Sequence, residues 1–157
     1  MISTDDPLAD DVRELLERHL AYAHANSAPE DVYALDVRGL LDPSVTFFSF
    51  RVGGELLAVG ALQRLDGRHA EIKSMHTAEA ARGQGVGRAM VDHLIGVARE
   101  AGYRRVSIET GAGPAFAPAR RLYASARFTP CEPFGDYRPS AKSAYMTLSL
   151  DGPGPAE

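Results

Sequence analysis

The sequence predicts a mixed α/β domain on a mostly antiparallel sheet with one helical crossover. Its patterned segments run helix, helix, three strands, helix, strand, helix and two strands. The first strands are separated by short glycine-containing turns, which join antiparallel neighbours. Only the unit of strand, glycine-rich loop and amphipathic helix at residues 70–101 supplies the long connection that a parallel pair needs. At 157 residues with 45% hydrophobic content, the chain has material for one core. Residues 1–150 are therefore read as a single domain, and the Gly/Pro-rich residues 151–157 as a disordered tail.

The first helix is expected over residues 7–25. Asp6 suits the N-cap and Pro7 the first helical position, and Leu8, Val12, Leu15, Leu16 and Leu20 recur at helical spacing. A short helix over residues 35–41 is halted by Asp42-Pro43. Residues 45–52 are rich in β-branched and aromatic side chains, Gly53-Gly54 makes a hairpin turn, and residues 55–64 return as a partner strand. Asp66-Gly67 marks the next turn, and a third strand follows over residues 70–77. The helix at residues 86–101 places Val86, Met90, Leu94, Val97, Ala98 and Ala101 on one face, with Gly102 as its stop. A strand at residues 105–110, a helix at 118–126 and closing strands at 128–133 and 144–150 complete the order. A further strand at the start of the chain is confined to Ile2, Ser3 and Thr4 at most.

Composition narrows the function. With 21 acidic against 17 basic residues, the net charge of −4 argues against a nucleic-acid partner, while leaving room for a local basic pocket. Residues 1–6 have neither the basic start nor the apolar run of a secretory signal, and no apolar segment approaches the ~20 residues of a membrane span. A single cysteine, Cys131, forms no internal disulfide and fits a reducing compartment. A cytoplasmic protein is expected, as monomer or homodimer. No metal is expected, because His69, His76 and His93 lack acidic or cysteine partners at ligand spacing.

The chemically informative segment follows the third strand. Arg82-Gly83-Gln84-Gly85-Val86-Gly87-Arg88 opens a helix with three alternating glycines between two arginines. A helix start leaves backbone N–H groups unpaired and favours negative charge, and glycines let the backbone wrap a phosphate closely. Arg82 and Arg88 can add charge-assisted hydrogen bonds. The segment reads as a phosphate or pyrophosphate cradle. It is not a dinucleotide fingerprint, because counting from Gly83 the sixth position is Arg88 rather than glycine.

Read from Arg82, the run Arg-x-x-Gly-x-Gly resembles the acetyl-CoA pyrophosphate motif of the GNAT (Gcn5-related) N-acetyltransferases. A second segment, Ala119-x-x-Leu122-Tyr123 before Phe128, resembles a later motif of the same family. Glu71-Ile72-Lys73-Ser74-Met75, Glu109-Thr110-Gly111 and Pro133-Phe134-Gly135-Asp136-Tyr137 resemble sequences of its bacterial, small-substrate members. The resemblance spans roughly residues 8–150 and implies a GNAT fold, a mixed sheet flanked by about four helices. It departs from the family at Phe116, where an asparagine often contacts the pantetheine, and at Arg127, where a glycine often precedes Phe128.

The resemblance also implies a mechanism. Met75, His76 and Thr77 would line the pantetheine arm, with backbone groups of Met75 and Thr77 pairing with it as an added strand. The amides of Gly83, Gln84, Gly85, Val86 and Gly87 would hold the pyrophosphate beside Arg82 and Arg88, with Phe116 also lining the cofactor. An amine would attack the thioester directly, and Tyr123 would protonate the departing thiolate. Glu71, expected to share a strand face with Lys73 and Met75, is one candidate for the base. Glu109 is the other, and either could instead pair with Lys73. Cys131 reads as a small hydrophobe rather than a nucleophile. Arg104-Arg105 and Arg120-Arg121 read as solvated edges. The reading is an acetyl-CoA-dependent N-acetyltransferase for a small-molecule amine, with a catalytically silent CoA-binding sensor as the alternative.

Overall fold

The chain builds a seven-stranded sheet in the computed structural model, which describes residues 1–26 and 37–150. The strands are β1 (Ile2–Thr4), β2 (Val45–Val52), β3 (Glu55–Arg64), β4 (His69–Thr77), β5 (Arg105–Gly111), β6 (Thr129–Pro130) and β7 (Ser143–Ser149), in the order β1-β2-β3-β4-β5-β7-β6. The helices are α1 (Asp10–Asn26), α2 (Val37–Leu40), α3 (Val86–Glu100) and α4 (Ala117–Ser125). Among the described residues only β4 and β5 pair in parallel, and α3 is the crossover between them. The fold class expected from the sequence is the one observed.

Each face of the sheet buries its own cluster. Val86, Met90, Val91, Leu94, Ile95 and Ala98 form the inner stripe of α3, at the 3.6-residue spacing of an amphipathic helix. They pack on Ala58, Ile72, Val106 and Ile108 of the sheet, joined by Tyr123 and Phe128. On the other face, Val12, Leu15 and Leu16 of α1 and Leu40 of α2 cover Phe47, Val59 and Ala61. Arg51 ties the outer strands to α1. It contacts Asp5 at 2.9 Å and Asp11 at 2.6 Å, and Ser49 donates to the same Asp5 carboxylate.

Two helices end in the same backbone device. After α3, Gly102 takes φ 88°, and the Tyr103 amide reaches back to the Ala98 carbonyl at 3.1 Å. After α4, the Phe128 amide reaches the Tyr123 carbonyl at 3.0 Å and the Arg127 amide reaches Ala124 at 2.9 Å. Both are Schellman ends, in which a left-handed residue lets the chain bond the last carbonyls. Arg127 takes φ 77° there, a conformation usually left to glycine. The missing glycine therefore leaves the turn intact and places strain on one arginine.

Several element expectations are corrected. The first helix starts at Asp10 rather than residue 7, because Asp6 caps a preceding turn, accepting from the Leu8 amide at 2.9 Å. Leu8 consequently lies outside the apolar stripe and is 48% exposed. The closing strand expected over residues 128–133 shrinks to Thr129–Pro130, since Pro130 and Pro133 remove ladder donors. Residues 27–36, which include the start of the short helix expected over residues 35–41, and residues 151–157, the expected tail, lie outside the described residues.

Candidate active site

The site begins where two parallel strands part. β4 and β5 pair from His69 with Arg105 to Ile72 with Ile108. Beyond that point β4 continues to Thr77 held only by β3, and β5 continues to Gly111 held only by β7. The result is a fork whose arms are Lys73–Thr77 and Glu109–Gly111.

A bulge opens the fork. Between Val59 and Ala61 of β3, the partner on β4 jumps from His76 to Lys73, so β4 carries an extra residue. Ser74 absorbs it at φ 55°, left-handed backbone that costs a non-glycine residue roughly 1–2 kcal/mol. Its hydroxyl is buried without a partner among the described residues. The bulge also overturns one expectation. Met75 does not share a face with Glu71 and Lys73: it packs against the α3-side cluster, where a Cβ on Gly60 would lie 2.9 Å from its sulfur. Lys73 and His76 instead pair with Ala61 and Val59, members of the α1-side cluster. Strict alternation fails because it presumes an unbroken strand.

The glycine loop lies just past the β4 arm, after a 3₁₀ turn at Glu79–Ala81. Gly83 and Gly85 take φ 77° and 81°, and a Cβ on either would meet open space. The loop is therefore shaped by backbone preference and leaves a cradle. The first amide to reach back along α3 is that of Ala89, which bonds the Gly85 carbonyl at 3.0 Å. The amides of Val86, Gly87 and Arg88 precede that ladder, as at any helix start. Gln84 donates to the Ala80 carbonyl and Arg82 to the Thr77 carbonyl, linking loop to strand. Arg88 instead turns along its helix to Asp92 at 3.0 Å and across to Ser125 of α4 at 3.2 Å. An orphaned hydroxyl beside the fork, open space over two left-handed glycines and a helix start together suit a ligand with an extended arm and a phosphate.

Side chains of opposite charge meet at the fork's apex. Glu71 is 3% exposed. It accepts from the Tyr137 hydroxyl at 2.6 Å and pairs with Lys73 at 3.2 Å, while Lys73 also donates to that hydroxyl at 3.1 Å. Burial pushes the Glu71 carboxyl above its ordinary range, against the opposing pull of Lys73 and Tyr137. Tyr137 comes from the connection between β6 and β7, where its ring packs edge-on to Phe134. Glu109 occupies the first position of the other arm, opposite Tyr145 of β7.

Tyr123 approaches from α4. It is 4% exposed, and burial raises its phenol well above the usual range, with the Glu109 carboxylate adding to the effect. Burial and the Glu71 carboxylate likewise raise Tyr137, and Glu109 adds there too. The structure thus joins Glu71, Lys73 and Tyr137 at the apex, with Glu109 at the first position of the other arm and Tyr123 in the α3-side cluster. Lys73 and Tyr137 were not singled out for chemistry in the sequence. The signal for Lys73 was its place near Glu71; Tyr137 stood in the resembling segment Pro133–Tyr137, but nothing local linked it to Glu71, 66 residues away.

Phe116 and Arg120 have structural roles. A Cβ on Gly111 would fall 2.0 Å from the Phe116 ring, so the phenyl group lies directly on the end of β5. Arg120, expected as a solvated edge, donates to the carbonyls of Gly111 at 2.5 Å and Gly113 at 3.0 Å. Arg105 likewise donates to Thr147 at 2.7 Å. Cys131 is half-buried, and burial raises its thiol, which disfavours the nucleophilic thiolate. Among the described residues, no group of three His, Cys, Asp or Glu side chains is placed to hold a metal ion.

Comparison with known proteins places this geometry. Residues 9–128 match the family model described as Acetyltransferase (GNAT) family. The chain is 42% identical to the uncharacterized N-acetyltransferase YsnE of Bacillus subtilis, covering 95% of this chain and 99% of that one. It is 32% identical to the IAA acetyltransferase of Azospirillum brasilense, over 95% of this chain and 97% of that one. Among solved structures, a Bacillus subtilis acetyltransferase in complex with CoA aligns with a TM-score of 0.71 at 18% identity, covering 94% of this chain and 97% of its own.

Proposed function

From the premise that this chain is an acyltransferase of the GNAT acetyltransferase family, we propose that it moves the acetyl group of acetyl-CoA to a primary amine of a small-molecule or amino-acid-like acceptor. The observation that carries this reading is the fork: β4 and β5 separate beyond Ile72 and Ile108, with the glycine loop past one arm and ionisable side chains at the apex. The solved relative with CoA bound supports the choice of cofactor.

Each part of the fork has a task in this reading. The amides of Gly83, Gln84, Gly85, Val86 and Gly87 hold the pyrophosphate, with Arg82 and Arg88 supplying positive charge nearby. The β4 edge at Met75, His76 and Thr77 takes the pantetheine arm as a strand would. Phe116 acts here by fixing the end of β5 rather than by offering an amide. Acetyl-CoA supplies an activated thioester whose acyl carbon is open to attack. Tyr123, held protonated by its burial, donates a proton where thiolate forms. Glu71 and Glu109 against Lys73 give the acceptor side an excess of carboxylate, which suits an ammonium better than a carboxylate group. No metal is assigned a role. The reading is of a cytoplasmic protein, in keeping with its single cysteine; among the described residues no helix is long and apolar enough to cross a membrane.

A thiol-release assay tests this reading. Acetyl-CoA is offered with a panel of primary amines and amino acids, beside alcohols and carboxylates of matching shape. Acceptor-dependent release with at least one amine, and none with its alcohol counterpart, is expected. No release with any amine would overturn the acceptor class.

A further inference from the structure

The end of the sheet opposite the glycine loop carries charge that the steps above leave unused. His69 and Arg105 form the first parallel pair of β4 and β5, and the fork opens at the other end of the same two strands. Beside that first pair lies a cavity of about 630 Å³, between the turn before β4, the start of β5 and the end of β7. Arg68, His69, Arg104 and Arg105 line it, and Asp66 is the one carboxylate in its lining. In a chain of net charge −4, this is a local concentration of positive charge on a concave surface.

The backbone holds these residues in fixed relation. The Arg68 carbonyl accepts from the amides of Arg104 at 2.8 Å and Arg105 at 3.1 Å, which ties the turn before β4 to the start of β5. Asp66 is committed to the turn itself, where its Oδ1 accepts from the amides of Arg68 at 2.7 Å and His69 at 2.9 Å. A chain of side chains orients Arg105. Its Nε donates to Thr147 at 2.7 Å, Thr147 meets Ser107 at 2.8 Å, and Ser107 meets Nε2 of His69 at 2.7 Å. Ser107 is fully buried, so this chain is anchored in the interior rather than on a solvated surface. Of the five N–H donors of Arg105, Nε is spent on Thr147 and the Cys131 thiol takes a further contact, which leaves donors for a ligand. Among the described residues, neither Arg68 nor Arg105 makes an ion pair.

We propose that this cleft is a second anion site, which takes a small tetrahedral dianion of the phosphate or sulfate type. Two guanidinium groups without counter-ions match a double negative charge, and their planar forks suit pairs of oxygens on a tetrahedral anion. Arg104 adds a third positive charge to the lining. Without an anion these like charges repel across one concavity, and a bound dianion relieves the repulsion. The site is separate from the cofactor cradle, because the glycine loop follows the last residue of β4 and the cleft surrounds its first.

The inference does not rest on the amine-acetylation reading, and its test keeps the two anion sites apart. Sulfate, inorganic phosphate and glycerol phosphate are titrated calorimetrically at fixed ionic strength, since screening weakens every such contact. The protein is wild type saturated with CoA, which fills the glycine loop, and Gly85→Val, which obstructs it. Both should bind one dianion with equal affinity. Arg68→Glu and Arg105→Gln, measured in the same way, should each lose at least tenfold, with melting temperatures showing that they are folded. Tighter binding of glycerol phosphate than of phosphate identifies a phosphate ester as the ligand, and equal binding identifies the free ion. No binding of any of the three dianions, or full affinity in folded Arg68→Glu, would overturn the site. Binding confined to CoA-free wild type would put the dianion on the glycine loop and overturn it equally.

Discussion

Tyr123 is a core residue to which the proposed reading also gives a chemical task. Its ring packs in the α3-side cluster, tilted against Phe128 at 6.0 Å between ring centres. Its hydroxyl lies within the influence of Glu109, at the first position of the fork's β5 arm. Burial raises the phenol, so it stays protonated across the working range and has a proton to donate. Tyr123→Phe keeps the ring and removes the proton. Its kcat should fall by ~10²–10⁴, the range for general acid catalysis, with acetyl-CoA affinity by calorimetry little changed. A near-normal kcat would assign Tyr123 to packing alone. At this scale the sequence was partly legible. Ala119-x-x-Leu122-Tyr123 pointed to the tyrosine, and Glu71 stood out on its strand. That Glu71 pairs with Lys73 under Tyr137 depends on a contact across 66 residues, which no local pattern encodes.

Elements explain what single residues do not, and two irregularities matter most. The β4 bulge at Ser74 turns Met75 into the α3-side core and leaves Lys73 and His76 facing the other way. The sequence there reads as an ordinary alternating strand, and only pairing with β3 reveals the extra residue. The end of α4 is the second irregularity. Arg127 occupies the left-handed position that Gly102 fills after α3, in the same hydrogen-bond pattern. Relieving the side chain there outweighs the added backbone freedom of glycine in the unfolded chain. Arg127→Gly should stabilise the protein by about 1 kcal/mol, raising its melting temperature by ~2–4 °C. Calorimetric melting checks this, and an unchanged or lower midpoint would mean that the arginine side chain offsets its strain by contacts of its own.

At the scale of the whole molecule, the sheet positions everything. Antiparallel pairs hold both arms of the fork from outside, β3 on β4 and β7 on β5, so the arms can part without unravelling. A cluster on each face fixes the sheet, and α3 carries the glycine loop to the mouth of the fork. Much of this was legible beforehand. The order of elements along the chain, the single crossover and much of the helix stripes follow from periodicity and turn residues, which are local. The fork, the bulge and the charged apex arise where distant strands meet.

The claim that acetyl-CoA binds on the glycine loop at this fork is tested most directly by calorimetric titration of wild type and Gly85→Val. Gly85 holds φ 81° at the start of α3, and a Cβ there meets no protein atom within 4 Å. The branched side chain would instead occupy the space that the pyrophosphate requires. Melting temperatures measured alongside show that the variant is folded. The account predicts acetyl-CoA affinity weakened at least tenfold, about 1.4 kcal/mol. Equal affinity in a folded variant would contradict it.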